Sequence, residues 1–169
     1  MADAQAHWMA PVIAVCVTAW PGEAAALAAR LEAAFGVALA APGCWTASGA
    51  LACVWLAPDR WQIEHPDAPD LARRLADAVG ELGGVIDVSD ARAVLCVTST
   101  GSRDVLGRLL PLDLHPRAFE PGRAASSVAA HISVYVRQID SAPTWQLACL
   151  RGYAEALARA VATAGAVLR

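Results

Sequence analysis

Leu51-Ala-Cys-Val-Trp-Leu-Ala-Pro-Asp-Arg-Trp-Gln-Ile63 sets two apolar runs on either side of Pro58-Asp59. The runs Leu51–Leu56 and Arg60–Ile63 read as a β-hairpin about that turn. His65-Pro-Asp-Ala-Pro-Asp70 follows as turn chemistry. A helix then carries Leu71, Leu75, Val79 and Leu82 on one face, with Asp70 as its cap and Gly83-Gly84 closing it. A hairpin followed by a single helix is a building block of antiparallel α+β architecture, and a doubly wound parallel sheet would need regular βαβα order instead.

The same grammar extends in both directions. Towards the N-terminus, Val12–Trp20 reads as a strand apolar on both faces at its start, ended by Pro21-Gly22. Leu27, Leu31 and Phe35 then recur every four residues in an Ala-rich helix, Glu23–Phe35, stopped at Gly36. Towards the C-terminus, Val85–Val88 and Ala91–Val97 read as two strands around Ser89-Asp90. A short helix from Arg103 to Leu109 ends before Pro111, and Asp113–Gly122 is irregular. The alternation after it predicts one strand with Val128, Ala130, Ile132, Val134 and Val136 facing the core. Ser127, His131, Ser133, Tyr135 and Arg137 then lie on the opposite face. Trp145–Leu150 pairs with that strand, and a last helix carries Tyr153, Leu157, Val161, Ala164 and Leu168 on one side. The reading is therefore α+β, with antiparallel sheet covered by helices on one face. Residues 1–10 read as an N-terminal tail and 11–169 as the folded region. No internal repeat is visible.

Composition narrows the function. Apolar residues make up 57% of the 169, and although 40 are Ala, the larger ones suffice for a core. Net charge is −3 without a basic cluster, so no electrostatic footprint for nucleic acid is expected. All 13 basic residues are Arg. Without Lys, this chain has no P-loop, no Schiff-base amine and no kinase strand Lys. Five cysteines (Cys16, Cys44, Cys53, Cys96, Cys149) lack C-x-x-C spacing and read as free thiols in a reducing cytosol. The uncharged stretch Ala33–Pro58 is broken by Gly and Pro, and Val12–Val17 lacks a basic flank. Neither a membrane span nor a signal peptide is expected.

Chemistry-bearing candidates are few. There is no G-x-G-x-x-G, no G-x-S-x-G and no metal-ligand spacing among His7, His65, His115 and His131. In an extended stretch Asp113 could orient His115, with Ser126, Ser127 or Cys96 as nucleophile. The alternative is that Asp113 caps a turn and His115 is fixed before Pro116. Ser102 reads either as a helix N-cap or as part of an anion site. Six Trp against two Phe and two Tyr leave three readings open for Trp55 and Trp61: hairpin anchors, a stacking platform, or interface residues.

Four segments, in order, resemble the γ subunit family of heterotetrameric sarcosine oxidase. Trp55-Leu-Ala-Pro-Asp-Arg-Trp61 is like its W-L-x-P-D-x-W. Val85-Ile-Asp-Val-Ser-Asp-Ala-Arg-Ala-Val-Leu95, running on through Gly101-Ser-Arg-Asp-Val-Leu106, is the second. Leu112-Asp-Leu-His-Pro-Arg-Ala-Phe-Glu-Pro-Gly122 is the most specific. Arg151-Gly-Tyr-Ala-Glu-Ala-Leu157 is like R-S-F-A-x-x-L, with Gly152 and Tyr153 in place of Ser and Phe; Ser99-Thr100-Gly101 replaces the commoner S-G-P.

The resemblance implies two small α/β lobes of the folate-binding aminomethyltransferase fold, and a cytoplasmic heterotetramer. Such a complex oxidises sarcosine or a similar N-methyl amine and passes the one-carbon unit to tetrahydrofolate. FAD, FMN, NAD and tetrahydrofolate would then sit in partner subunits. This chain would be a non-catalytic subunit, binding no cofactor or metal, that stabilises the large α subunit beside β and δ. Its expected interface comprises Asp113, His115, Arg117 and Phe119 from the loop and His131, Tyr135 and Arg137 from the strand, with Phe119 as the anchor. A free-standing tetrahydrofolate-binding protein is the alternative, and a small hydrolase using Asp113 and His115 a third reading.

Overall fold

The Leu51–Ile63 hairpin forms as read, with Trp55 directly opposite Trp61 and a bulge between Trp55 and Ala57. The computed structural model describes residues 5–166. The strands before the first long hairpin helix are β1 (Gln5–Trp8) and β2 (Ile13–Ala19), followed by α1 (Ala24–Phe35). β3 (Trp45–Ser48), β4 (Leu51–Ala57), β5 (Arg60–His65) and α2 (Leu71–Val79) come next. The remainder is β6 (Gly83–Asp87), β7 (Arg92–Thr98), α3 (Ser102–Gly107), β8 (Ala124–Ala129), β9 (Ile132–Gln138), β10 (Thr144–Leu150) and α4 (Ala154–Ala166). Residues 11–89 form one compact unit, and the chain before and after them forms a second.

In the 11–89 unit the sheet order is β3-β4-β5-β2-β6, all antiparallel. Register puts Val15, Ile63 and Cys53 in one row and Val17 beside Trp61 in the next. Leu27 and Leu31 of α1 and Leu71, Leu75 and Val79 of α2 pack on that face. Each of these leucines is fully buried, contributing about 2 kcal/mol of apolar transfer. Gly36 ends α1 in the left-handed conformation, φ 65°, its N–H donating to the Glu32 carbonyl at 2.8 Å. Asp70 stands before α2 but makes no cap hydrogen bond; its carboxylate pairs with Arg73 and Arg74.

In the other unit the order is β8-β9-β10-β7-β1, again antiparallel. Leu95, Leu147 and Val136 share a row, as do Cys149 and Val134. Leu157 and Val161 of α4 and Val105 and Leu106 of α3 complete this core.

The two sheets have the same topology. β2-α1-β3-β4-β5-α2 in one corresponds to β7-α3-β8-β9-β10-α4 in the other, and the strand order matches position by position. The fifth, edge position is exchanged: β6 lies beside β2, whereas β1, from the start of the chain, lies beside β7.

Several elements differ from the sequence reading. The stretch read as a tail contributes β1, which pairs with β7 from Gln5↔Thr98 to Trp8↔Leu95. Residues 1–4 and Leu168, assigned to the last helix face, lie outside the described residues. Trp45–Ser48, in a stretch read as loop, is an edge strand. β6 and β7, consecutive in sequence, belong to different sheets. The long strand about residue 130 is a hairpin turning at Ala130-His131, both with positive φ (47° and 68°). A two-residue turn pairs Ala129 with Ile132 and so reverses the inside–outside parity between its arms. The core face is therefore even-numbered on β9 and odd-numbered on β8, which leaves Val128 45% exposed.

Candidate functional site

Leu112–Gly122, the most distinctive sequence segment, is built as a plug. The Asp113 carboxylate accepts the His115 backbone N–H at 2.9 Å, and the His115 Nδ1 accepts the Arg117 N–H at 3.2 Å. The N–H groups of Ala118 and Phe119 both donate to the His115 carbonyl, closing one helical turn. Pro116 suits the start of that turn, where no N–H partner is needed. The turn carries Phe119 inward, where its ring lies 5.4 Å from the Trp145 ring, tilted 41°. Leu114 is buried beside it.

Arg103 on α3 locks this plug in place. Its Nη1 donates to the carbonyls of Leu114 and Phe119, and its Nη2 donates to Gln138 Oε1 at 3.1 Å. The guanidinium also lies 4.9 Å from the Trp145 ring centroid. Burial lowers the Arg103 pKa from its ordinary value, with Asp104 acting in the opposite direction. Gln138, itself buried, donates on to the Asp140 carbonyl at 2.9 Å. Ser102 is fully buried, and its hydroxyl donates to the Pro143 carbonyl at 3.0 Å. Gly101, not Ser102, occupies the cap position of α3. The segments Gly101–Leu106 and Leu112–Gly122 thus form one packing device.

The expected interface residues separate into distinct environments. Asp113, His115 and Arg117 are exposed on the plug. Arg103, Asp104, Arg108, Leu112, His115 and Pro116 border an open depression of about 590 Å³. Phe119 is only 6% exposed, so its ring belongs to the core and is unavailable as a partner anchor. His131 occupies the hairpin turn rather than the strand face. Tyr135 and Arg137 do share the face opposite the core. Arg92 lies over the Tyr135 ring at 4.6 Å, and Arg137 Nε donates to Gln146 at 2.7 Å.

The proposed triad geometry does not form. The Asp113 carboxylate accepts the backbone N–H of His115, and His115 Nδ1 accepts that of Arg117, so both side chains are spent on the turn. The buried Ser127 hydroxyl has no partner. Burial, with a smaller contribution from Asp140, raises the Cys96 thiol pKa, opposite to what an activated nucleophile needs. Cys53 is pushed up to about 11, chiefly by burial. Trp61 is buried with its indole N–H on the Ala40 carbonyl at 2.9 Å, and Trp55 packs against the same core. These two rings therefore anchor the hairpin. Residue spacing pointed to none of Arg103, Gln138 or Trp145 as a hub.

In Asp87-Val-Ser-Asp90, Asp87 Oδ1 accepts the Ser89 hydroxyl at 2.6 Å and the Ser89 N–H at 2.9 Å. Those bonds hold its carboxyl below the usual aspartate range. Ser89 Oγ in turn accepts the Ala14 N–H at 3.0 Å, tying the end of this unit to the start of β2. Among the described residues no group of three or more His, Cys, Asp or Glu is placed to hold a metal. No helix among them is long and apolar enough to cross a membrane.

Two antiparallel sheets, each with its pair of helices, define an aminomethyltransferase-like fold. The glycine cleavage system aminomethyltransferase T from Bartonella henselae matches with a TM-score of 0.68 over 94% of this chain and 45% of that one, at 16% identity. The likeness at that identity is one of fold. The chain belongs to the sarcosine oxidase gamma subunit family, whose signature matches residues 20–166. A chain of heterotetrameric sarcosine oxidase from Corynebacterium sp. U-96, in complex with pyrrole 2-carboxylate, matches with a TM-score of 0.86 at 29% identity. That match covers 96% of this chain and 84% of the other. Sarcosine oxidase subunit gamma of Arthrobacter sp is 40% identical over 123 residues, 71% of this chain and 60% of the relative. The corresponding subunit of Corynebacterium sp. strain P-1 is 39% identical over 84 residues, 49% of this chain and 41% of the relative. The aligned part of this chain thus spans about 60% or less of these relatives.

Proposed function

We propose that this chain is the γ subunit of a heterotetrameric sarcosine oxidase-like flavoenzyme and works by binding and stabilising the large subunit. The match to the sarcosine oxidase chain over nearly the full length carries this reading. In it, the complex oxidatively demethylates sarcosine or a similar N-methyl amine and delivers the one-carbon unit to tetrahydrofolate. FAD, FMN, NAD and tetrahydrofolate reside in the α and β subunits, and δ completes the assembly in the cytoplasm. The use of the family's distinctive segments supports a non-catalytic role. Arg103, Phe119 and Trp145 hold the core together, while Asp113 and His115 cap a turn.

The test is a pull-down of the tagged chain from its native cytosol, with an absorbance spectrum and a sarcosine oxidation assay on the eluate. Larger partners with flavin absorbance and turnover are expected. A colourless monomer that binds tetrahydrofolate in a calorimetric titration would refute the subunit reading and favour a free-standing folate-binding protein.

A further inference from the structure

The second unit carries a cation, Arg92, that pairs with no anion among the described residues. Pairing of Arg92 with Leu150 and of Tyr135 with Ala148 and Ser126 puts Arg92, Leu150, Ser133, Tyr135 and Ser126 on the sheet face opposite Leu95, Leu147 and Val134. There they border a half-open depression of about 370 Å³, together with Ser127. The Arg92 guanidinium sits 4.6 Å from the Tyr135 ring centroid. Its Nε is buried without a hydrogen-bond partner. No carboxylate among the described residues pairs with Arg92; Asp90, two residues earlier, faces Arg151 at 3.9 Å. Buried donors are ordinarily satisfied, so the orphaned Arg92 Nε beside this depression marks a place where an acceptor is missing. The aromatic contact steadies the guanidinium without using its N–H donors, which leaves them for a two-oxygen acceptor.

We propose that the Arg92–Tyr135 depression is a carboxylate-binding subsite, and that its occupant is an acidic side chain of a polypeptide partner. The complementary charge is a carboxylate because a planar guanidinium fork flanked by serine hydroxyls matches its two oxygens. A polypeptide is the source because the depression is half open and bordered by the exposed Leu150. Small-molecule sites enclose most of their ligand, whereas an open charged dent with an apolar rim suits a side chain delivered on a partner's backbone. This inference rests on the subunit role proposed above. It retains Tyr135 among the expected interface residues and adds Arg92, which sequence spacing did not single out.

The test measures the affinity of the full chain for the remaining subunits of the complex, comparing wild type with Arg92→Gln and Ser133→Asp. The second variant supplies a carboxylate to Arg92 from within the chain. Both are expected to weaken association by about 30-fold or more, as for truncated interfacial charge pairs. Thermal melting of the free variants checks folding, and Ser133→Asp decides if Arg92→Gln melts early. Association within about threefold of wild type for a folded variant overturns the inference while leaving the subunit role intact. Failure of the wild-type chain to associate overturns both. A calorimetric titration of the free chain with acetate separates the two carboxylate sources. Acetate binding lost in Arg92→Gln, with assembly unaffected, would assign the site to a small carboxylate and overturn the partner-side-chain assignment.

Discussion

Replacing Phe119 by Ala removes a ring that is 6% exposed, contacts Trp145 at 5.4 Å and ends the turn held by Arg103. Core Phe→Ala changes cost about 3–5 kcal/mol through lost transfer energy and the cavity left behind. The segment carrying Phe119 is a single loop turn with room to relax, so the low end, about 3 kcal/mol, is expected. With two compact units a single global unfolding energy is poorly defined, so the assay is amide hydrogen exchange read strand by strand. Protection of β9 and β10 should fall on the order of 100-fold, since about 1.4 kcal/mol corresponds to tenfold. The residue reading assigned Phe119 as a partner anchor, which predicts unchanged protection in the free chain and lost association. Protection within a few-fold of wild type would refute the core placement and restore the anchor role.

Three further outcomes follow from the geometry. Gly83→Ala would put a Cβ 2.2 Å from the Thr18 carbonyl oxygen, a backbone atom in β2, so a loss of about 1–3 kcal/mol is expected, read as faster amide exchange of β2 and β6. Unchanged stability would mean that the β2–β6 approach is looser than described. Ala130→Asn with His131→Gly suits a turn with two positive φ angles and should stabilise β8–β9 by about 1 kcal/mol, measured as slower exchange of that hairpin. Faster exchange would refute the turn geometry. Asp87 has a carboxyl pKa lowered by the Ser89 hydrogen bonds, so the folded state holds that proton less tightly than the unfolded chain does. Its contribution to stability is complete above the ordinary aspartate value near pH 4 and disappears as pH falls through the lowered value. Ser89→Ala should flatten that acid limb in pH-dependent melts, and an unchanged limb would exclude the Asp87–Ser89 bond as its source.

The helices and the central hairpin were legible because their signals are local. Leu27 and Leu31 four residues apart, Gly36 after them, and Pro58-Asp59 between apolar runs each specify a conformation within a few residues. The plug was half legible. Asp113 as a turn cap followed from side-chain chemistry, but the burial of Phe119 depended on Trp145, 26 residues later, and on Arg103, 16 residues earlier. The Ala130-His131 turn escaped notice because it lacks the usual Asn or Gly, and the apparent alternation ran straight through it.

The sequence by itself determined the α+β class, the positions of the helices and the motifs that mark the family. It also ruled out lysine-dependent chemistry in this chain. Only the tertiary structure decided which strands share a sheet. β1 and β6 are short edge strands whose places beside β7 and β2 are exchanged between two units of the same topology. No periodicity within β1 or β6 encodes that choice, because strand pairing is completed by hydrogen bonds to a distant segment. The same holds for Arg92: that it has no counter-ion among the described residues becomes visible only when β7, β10 and β9 lie side by side.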